Sequence, residues 1–340
     1  MKKSLFCLLV MVLLTAGNAP VAFAADNLRM ASGVVGSMPY ALASGFAAVY
    51  QKHTGETLEV LTKELSATYQ ELYTGRYEMA VQASVTAYML YNNMDLRTGQ
   101  PTDVKEQQPV RIVMMGNTMP AGFLALKSSG MTKVSDIKGK RATLRFGHAS
   151  AQFMVNVNVL VAGLEVGKDV TATQASSIPV GAQLLNDGTV DATFGGITVP
   201  AFRELDAGKG VRFLTHNPPT PEVEEKARAV FPGTVFLRVE PDPGLVGIPE
   251  PIWLLGNHTC LISSANIPDD LVYKFTKTIY ENRQELVPFS LDFRDWVKEP
   301  PASTYAAAPF HPGAIRYYKE AGLWSEEVEK WNQQLLKLYK

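Results

Sequence analysis

The clearest hydrophobic pattern lies near the amino terminus, where a short apolar run is followed by small residues and then by an apolar stripe. The stripe consists of Met38, Leu42, Phe46 and Val49. This helical spacing predicts a strand, a tight loop and an opening helix, for which Ser37 can act as the N-cap. The first amides of such a helix have no intrahelical partner. The unit can therefore hold an anion, although its glycines can also serve only to turn the chain.

Along the rest of the chain, short apolar runs alternate with segments in which apolar residues recur at helical spacing. The predicted strands are residues 58–61, 77–82, 110–115, 124–126, 141–146, 170–173, 190–194, 211–214, 252–255 and 259–262. Short connections between strands and helices predict parallel sheets with right-handed crossovers. We therefore expect an α/β fold with parallel-rich sheets.

Two segments interrupt this alternation. Residues 116–123 contain Pro120 and Gly122, and residues 241–253 contain several prolines that exclude a continuous helix or a central strand. We expect both segments to be hinge crossings between two α/β lobes. The first lobe would comprise residues 25–118 and 246–340, and the second lobe residues 119–245. A proline-rich loop is expected over residues 296–305.

The first two dozen residues predict export. Lys2 and Lys3 precede a short apolar run, and Ala22-Phe23-Ala24 forms a small-x-small cleavage site. We expect a signal peptide over residues 1–24, with cleavage near Ala24 and a periplasmic location. No later stretch approaches the roughly 18 to 20 apolar residues of a transmembrane helix. Only Cys260 lies outside this leader, so no intrachain disulfide is expected and the chain must rely on large cores.

The charge and the apolar content of the chain argue against a nucleic acid as its binding partner. Without the two lysines of the leader, 30 basic residues face 33 acidic ones, which gives a formal net charge of −3. This balance, with 46% apolar residues, is typical of a globular protein and shows no nucleic-acid footprint. We expect a monomer without a cofactor or a metal ion.

Residues able to hold a polar solute follow the predicted strands. The expected ligand-binding residues are Gly36, Ser37, Tyr40, Ser66, Thr68, Gln82, Ser84, Arg145, Phe146, His148, Ser150, Gln152, Gly196 and Thr198. Arg145 is the most informative, because an arginine at a strand end can offer a bidentate fork to a carboxylate. It could equally form a surface ion pair. Each neutral polar residue could instead cap a helix or satisfy the local backbone.

Five motifs along the chain resemble those of the TAXI-type solute receptors of tripartite ATP-independent periplasmic (TRAP) transporters. They are Gly33-x-x-Gly36-Ser37-x-x-Tyr40, Tyr77-Glu78-Met79-Ala80-Val81-Gln82, Val134-x-Asp136-Ile137-Lys138-Gly139-Lys140-Arg141, Gly188-x-Val190-Asp191-Ala192 and His311-Pro312-Gly313-Ala314. The resemblance implies a type II periplasmic binding fold. It also implies a solute held between two lobes and delivered to a membrane permease that an ion gradient drives.

The chain departs from the family pattern at the ligand loops, residues 65–69 and 147–152. The expected ligand is a small organic anion, either a mono- or a dicarboxylate, with glutamate-like and 2-oxo acids among the candidates. Two other functions compete with this one. The chain could serve an ATP-driven importer or a sensor kinase, or it could be a secreted hydrolase. The sequence contains no G-x-S-x-G, H-E-x-x-H, C-x-x-C or phosphate-loop motif, which argues against an enzyme.

Overall fold

The computed structural model describes residues 28–33, 35, 37–62, 72, 76–95, 110–146, 149–290 and 292–338. The predicted signal peptide lies outside these residues, as do Gly36, Ser66, Thr68 and His148 from the expected ligand-binding set.

One 10-stranded mixed sheet runs through the molecule. Its strands are β1 (Leu28–Ser32), β2 (Leu58–Thr62), β3 (Met79–Ala83), β4 (Val110–Leu126), β5 (Arg141–Phe146), β6 (Thr171–Ala175), β7 (Ala192–Gly196), β8 (Val211–Phe213), β9 (Val235–Val239) and β10 (Ile252–Ser264).

Helices cover the sheet. They are α1 (Met38–Thr54), α2 (Ser84–Tyr91), α3 (Ala149–Val161), α4 (Ile178–Asn186), α5 (Pro200–Lys209), α6 (Pro221–Val230), α7 (Asp269–Glu281), α8 (Phe293–Lys298), α9 (Pro312–Glu320) and α10 (Glu326–Leu338). Short 3-10 helices occupy Lys127–Ser129, Val134–Ile137 and Arg283–Phe289.

The sheet consists of two parallel halves joined by an antiparallel pair of long strands. The strand order is β2-β1-β3-β10-β4-β7-β5-β6, with β8 paired to β4 and β9 paired to β10. Strand β1 is parallel to β2 and β3 in the first half, and β5 is parallel to β6 and β7 in the second half. Strands β4 and β10 take part in both halves. The expected α/β fold, with two lobes joined by two chain crossings, is confirmed.

The crossing expected over residues 116–123 is not a break in the chain, because β4 is one continuous strand from Val110 to Leu126 that passes from one half to the other there. Its ladder with β10 ends at Met119, and its ladder with β7 begins at Ala121. Pro120 falls between the two ladders, where no ladder bond from its nitrogen is required. Position 122 requires a glycine because β10 approaches closely. A Cβ atom there would lie 2.8 Å from the Leu254 side chain.

The second expected crossing also differs from the structure. Leu245, Val246 and Ile248 pack in a core cluster with Phe213 of β8, so the proline-rich segment belongs to the second half. Strand β10 begins only at Ile252. We place both crossings within the long strands, and the lobe limits given from the sequence stay a prediction. The loop expected over residues 296–305 is shorter, since α8 extends to Lys298.

Aromatic side chains fill the core of the first half around the hinge. Phe46 of α1 makes edge contacts with Phe293 and Trp296 of α8, each at 5.2 Å between ring centroids. Trp296 in turn lies against β4 at Gly116, where a Cβ atom would be only 2.0 Å from the indole. The indole therefore requires a glycine at this position of the strand.

A side chain at Gly116 should destabilise the protein. Gly116→Ala would press a methyl group into Trp296, and overpacking of this kind costs about 1–3 kcal/mol. Chemical denaturation should show this loss in the free energy of unfolding. Gly208→Ala is the matched control, since a Cβ atom there in α5 meets nothing within 4 Å. That change should be neutral or stabilise by about 0.5–1 kcal/mol. Equal stability of the two variants would contradict the packing argument.

Candidate functional site

A cavity of about 180 Å³ lies where the two halves of the molecule meet. Its wall is formed by Met38, Pro39, Val81, Gln82, Ala83, Thr86, Met119, Ser150 and Thr259. Ser150 belongs to the second half, whereas the residues from α1, β3 and α2 belong to the first. The wall is mainly apolar, with four neutral polar side chains and no charged one among the described residues.

Three helices begin at this cavity. Met38 and Pro39 are the first two residues of α1, Ala83 is the N-cap of α2, and Ser150 is the second residue of α3. Each helix follows the carboxyl end of a parallel strand, which brings the helix N-termini to one edge of the sheet. Helix N-termini carry partial positive charge and amide groups without intrahelical partners. The cavity edge is thus suited to a negatively charged group.

The two long strands supply the floor of the cavity. Met119 lies on β4 and Thr259 on β10, at the point where both strands pass between the halves. The Thr259 hydroxyl donates to Asn117 Oδ1 at 2.5 Å, and the Trp296 indole nitrogen donates to the same oxygen at 2.9 Å. These side chains are buried. The hydrogen bonds fix the polar floor of the cavity.

The structure brings some of the expected residues to the cavity. Gln82 and Ser150 line it directly. Ser37 is the N-cap of α1, as expected, and its hydroxyl oxygen accepts from the Tyr40 amide at 3.4 Å. Ser37 therefore orients the first turn that forms the wall. Tyr40 is in that turn and is half-buried, but it does not line the cavity.

Other expected residues hold the scaffold. The Ser84 hydroxyl oxygen accepts from the amide of His258 at 3.3 Å, which ties α2 to β10. Gln152 joins α3 to β5, because its amide donates to the Leu144 carbonyl at 2.7 Å and accepts from the Phe146 amide at 3.2 Å. Phe146 is a buried core residue.

Three further residues lie away from the cavity wall. Gly196 ends β7 and pairs with Ala121 in the ladder, and Thr198 is exposed in the turn that follows. Arg145 is exposed on β5 and does not line the cavity. The ion pairs beside β5 in the described residues are formed by other side chains, Lys138 with Asp169 and Arg141 with Asp191.

Seven residues of the wall were missed by the sequence analysis, and two of them, Val81 and Ala83, flank the expected Gln82. Met38, Pro39 and Thr86 follow expected positions by one or two residues, so a wider window at each helix start would have included them. Met119 and Thr259 had no comparable local pattern. They reach the cavity because β4 and β10 cross between the halves, and the sequence predicted a hinge crossing at the first of these positions without showing that it lines a cavity.

Several residues of the five sequence motifs form hydrogen bonds that stabilise the backbone. Glu78 accepts from the guanidinium of Arg29 at 2.7 Å. The Asp136 carboxylate accepts from the amides of Thr132 and Lys133, both at 2.9 Å, and these bonds lower its pKa. His311 caps α9 by accepting from the Gly313 amide at 3.1 Å. None of these residues contacts the cavity.

Asp191 gives a further example from the same motifs. Its carboxylate accepts from the Arg141 amide at 2.9 Å and from the Arg141 guanidinium at 2.8 Å. The guanidinium bond is the main reason that the pKa of Asp191 is lowered. The pair joins β5 to the start of β7, at the opposite end of β5 from the cavity.

Three histidines in the described part of the chain are buried, and burial lowers the pKa of each. They are His216, His258 and His311, each with a pKa of about 4. His258 lies next to Thr259 on β10, and its ring stacks on Tyr305 at 5.5 Å between centroids. Desolvation penalises the charged imidazolium, so the folded protein keeps all three rings neutral near pH 7.

Comparison with known proteins identifies a family. Residues 30–322 match the NMT1-like family. Among solved structures, the chain is similar to the periplasmic aliphatic sulphonate binding protein SsuA from Escherichia coli, with 13% identity over 92% of this chain and 91% of that chain and a TM-score of 0.46. It is also similar to PhnD1 from Prochlorococcus marinus in complex with methylphosphonate, with 10% identity over 88% and 99% of the two chains and a TM-score of 0.49.

A third similar structure is MatC from Rhodopseudomonas palustris with bound malate, with 15% identity over 92% and 99% of the two chains and a TM-score of 0.49. At these values no residue role is carried over. No helix in the described part of the chain has the length and apolar character needed to cross a membrane. The same residues contain no cluster of three His, Cys, Asp or Glu side chains suited to a metal ion.

Mild acid should destabilise the fold through the buried histidines. Between pH 6.5 and pH 4 the unfolded chain binds protons at His216, His258 and His311 that the folded chain does not. Stability should therefore change little between about pH 6.5 and pH 8 and fall below pH 6.5, by about 1–2 kcal/mol for each histidine at pH 5. The lowered carboxylate pKa values, such as that of Glu329 at about 2, affect stability only at lower pH.

Urea denaturation at pH 7 and pH 5 measures this difference. His258→Phe removes one titrating ring and keeps an aromatic face against Tyr305, so the loss between the two pH values should become smaller. A wild-type free energy of unfolding that is unchanged between pH 7 and pH 5 would contradict the prediction.

Proposed function

Because the chain belongs to the NMT1-like family, we propose that it is an extracytoplasmic solute receptor that binds a small organic anion in the cavity between its halves. The observation that carries this proposal is the convergence of three helix N-termini, from both halves, on one cavity. A ligand at this position contacts both halves at once. Binding therefore stabilises the arrangement in which the halves face each other, without any reaction.

The charge of the ligand follows from the helix ends. The backbone amides of the first turns of α1, α2 and α3 can donate to carboxylate oxygens, and the helix dipoles add to the attraction. No acidic side chain is present in the described wall to oppose a negative charge. A carboxylate at the helix ends is the arrangement that these contacts favour.

The remainder of the ligand should be small and partly apolar. Met38, Val81 and Met119 present apolar surface to the cavity, and the flexible methionines can adapt to several shapes. An apolar cavity of about 150 Å³ accommodates benzene, so the volume found here fits a short or branched carbon chain. Mono- and dicarboxylates remain the proposed class, which includes glutamate-like acids.

The finer assignment is that of a TAXI-type receptor that delivers its ligand to a TRAP permease. It rests on the sequence motifs and on the predicted signal peptide, which support a periplasmic location. The second candidate is the binding protein of an ATP-driven importer or of a sensor kinase. A permease gene next to the gene for this chain favours the first, and an ATPase gene favours the second. A secreted hydrolase lacks support from the cavity, which holds neutral polar groups and no nucleophile–base pair among its described residues.

A thermal-shift screen of small carboxylates, amino acids and sugars tests the function. A carboxylate at about 1,000 times its dissociation constant stabilises the folded protein by about 4 kcal/mol. For lobes of this size the melting temperature should rise by roughly 8 °C or more. The stabilising compound should be recovered unchanged after incubation. Stabilisation only by neutral sugars, or formation of a product, would contradict the proposal.

Arg145→Ala tests whether the Arg145 guanidinium binds the ligand carboxylate in addition to the helix amides. If Arg145 pairs with the ligand carboxylate, calorimetry should show a loss of roughly 2 to 4 kcal/mol in binding free energy. Arg141→Ala is the matched control, since it removes the same charge from the other end of β5, where the guanidinium pairs with Asp191. The control should bind the ligand normally. Unchanged affinity in a folded Arg145→Ala variant would show that the helix amides bind the anion without Arg145.

A further inference from the structure

The orientation of one buried amide decides what the cavity floor can offer a ligand. The Trp296 indole nitrogen lies 2.9 Å from Asn117 Oδ1. An indole N–H is only a donor, so the Asn117 atom that faces it must be the oxygen. The contact thus fixes which way the Asn117 amide points. Packing of the indole against Gly116 and Phe46 holds Trp296 itself in place.

The fixed amide determines the position of the Thr259 hydrogen. The Thr259 hydroxyl oxygen lies 2.5 Å from Asn117 Oδ1 and 3.3 Å from the Asn117 carbonyl oxygen. Both oxygens are acceptors only, and a hydroxyl has a single hydrogen. That hydrogen is therefore committed to Asn117. Thr259 lines the cavity, so it can offer a ligand its methyl group or its oxygen lone pairs, but no donor.

A second acceptor lies on the same strand. Asn257 precedes Thr259 by two residues on β10 and pairs with Met119, another wall residue, across the ladder. Residues two apart in a strand share a face of the sheet, so Asn257 lies on the same face of β10 as Thr259, next to the described wall rather than in it. The Asn257 side chain is 5% exposed, and its Oδ1 has no hydrogen-bond partner in the described part of the chain. A buried acceptor without a donor is costly, and a donor from a ligand would remove that cost.

We propose that this floor recognises a hydrogen-bond donor on the ligand, so that the bound acid carries a hydroxyl or amino substituent. The inference rests on the proposed function, with the carboxylate at the helix N-termini and the substituent at the floor. A 2-oxo acid would place an acceptor against acceptors, and an unsubstituted acid would leave the acceptors unpaired. Both should bind more weakly than the hydroxy or amino acid of the same skeleton.

Calorimetry with matched acids tests this selection. Lactate, alanine, pyruvate and propanoate share one carbon skeleton, and their longer and branched counterparts extend the series. For the skeleton that binds best, the hydroxy or amino acid should bind about tenfold or more tightly than the oxo and unsubstituted acids.

Two variants test whether the residues of the cavity floor cause the preference for acids that carry a hydrogen-bond donor. Thr259→Val keeps the shape of the side chain and removes its oxygen, so the preference for the donor-bearing acid should fall severalfold. Trp296→Phe keeps an aromatic ring and removes the indole donor. The Asn117 amide can then turn, the Thr259 hydrogen is released, and the preference should fall while the unsubstituted acid binds as before. Thr276→Val is the control, because Thr276 is a buried threonine in α7 that donates to the Val272 carbonyl. It should keep the wild-type preference.

The outcomes separate this inference from the proposed function. Oxo or unsubstituted acids that bind the wild-type protein as tightly as donor-bearing acids would overturn the inference and leave the function standing. Absence of binding by every acid would overturn both. A wild-type preference that persists in folded Thr259→Val and Trp296→Phe variants would overturn the assignment to this floor.

Discussion

The antiparallel pairing of β4 with β10 is the interaction on which the rest of the structure depends. These strands are the longest in the sheet, and each forms ladders in both halves. Their pairing fixes the position of one parallel half relative to the other, and so it decides which strand ends face each other. The cavity exists because the helices that follow β1, β3 and β5 are brought to the same place.

The centre of this strand pair is polar and buried. Asn117, Asn257 and Thr259 lie there, where a register shift interrupts the ladder between His258 and Cys260. Buried polar groups are costly unless they are hydrogen-bonded, and the bonds to Asn117 account for part of this set. Of these three residues, Thr259 also lines the cavity.

Contacts away from the hinge add to the join between the halves. Tyr88 of α2 makes edge contacts with Phe153 at 5.8 Å and with Phe231 at 5.7 Å, both in the second half. The Arg228 guanidinium of α6 lies over the rings of Tyr305 at 5.1 Å and Trp331 at 4.8 Å. Cation–π contacts of this kind are individually modest. Together with the strand pair they hold the two halves together.

Local spacing and capping in the sequence predict the alternation of strands and helices, the cap of α1 at Ser37 and the α/β class. The sequence also placed Gln82 and Ser150 correctly at strand and helix ends. It could not show that β4 continues through Pro120, since the strand is held there by ladders to β10 and β7, which are distant in sequence. For the same reason only the tertiary structure brought Met119 and Thr259 to the cavity and assigned Gln152 and Ser84 to the scaffold. Local patterns fix which elements form, whereas pairing between distant strands decides which side chains meet.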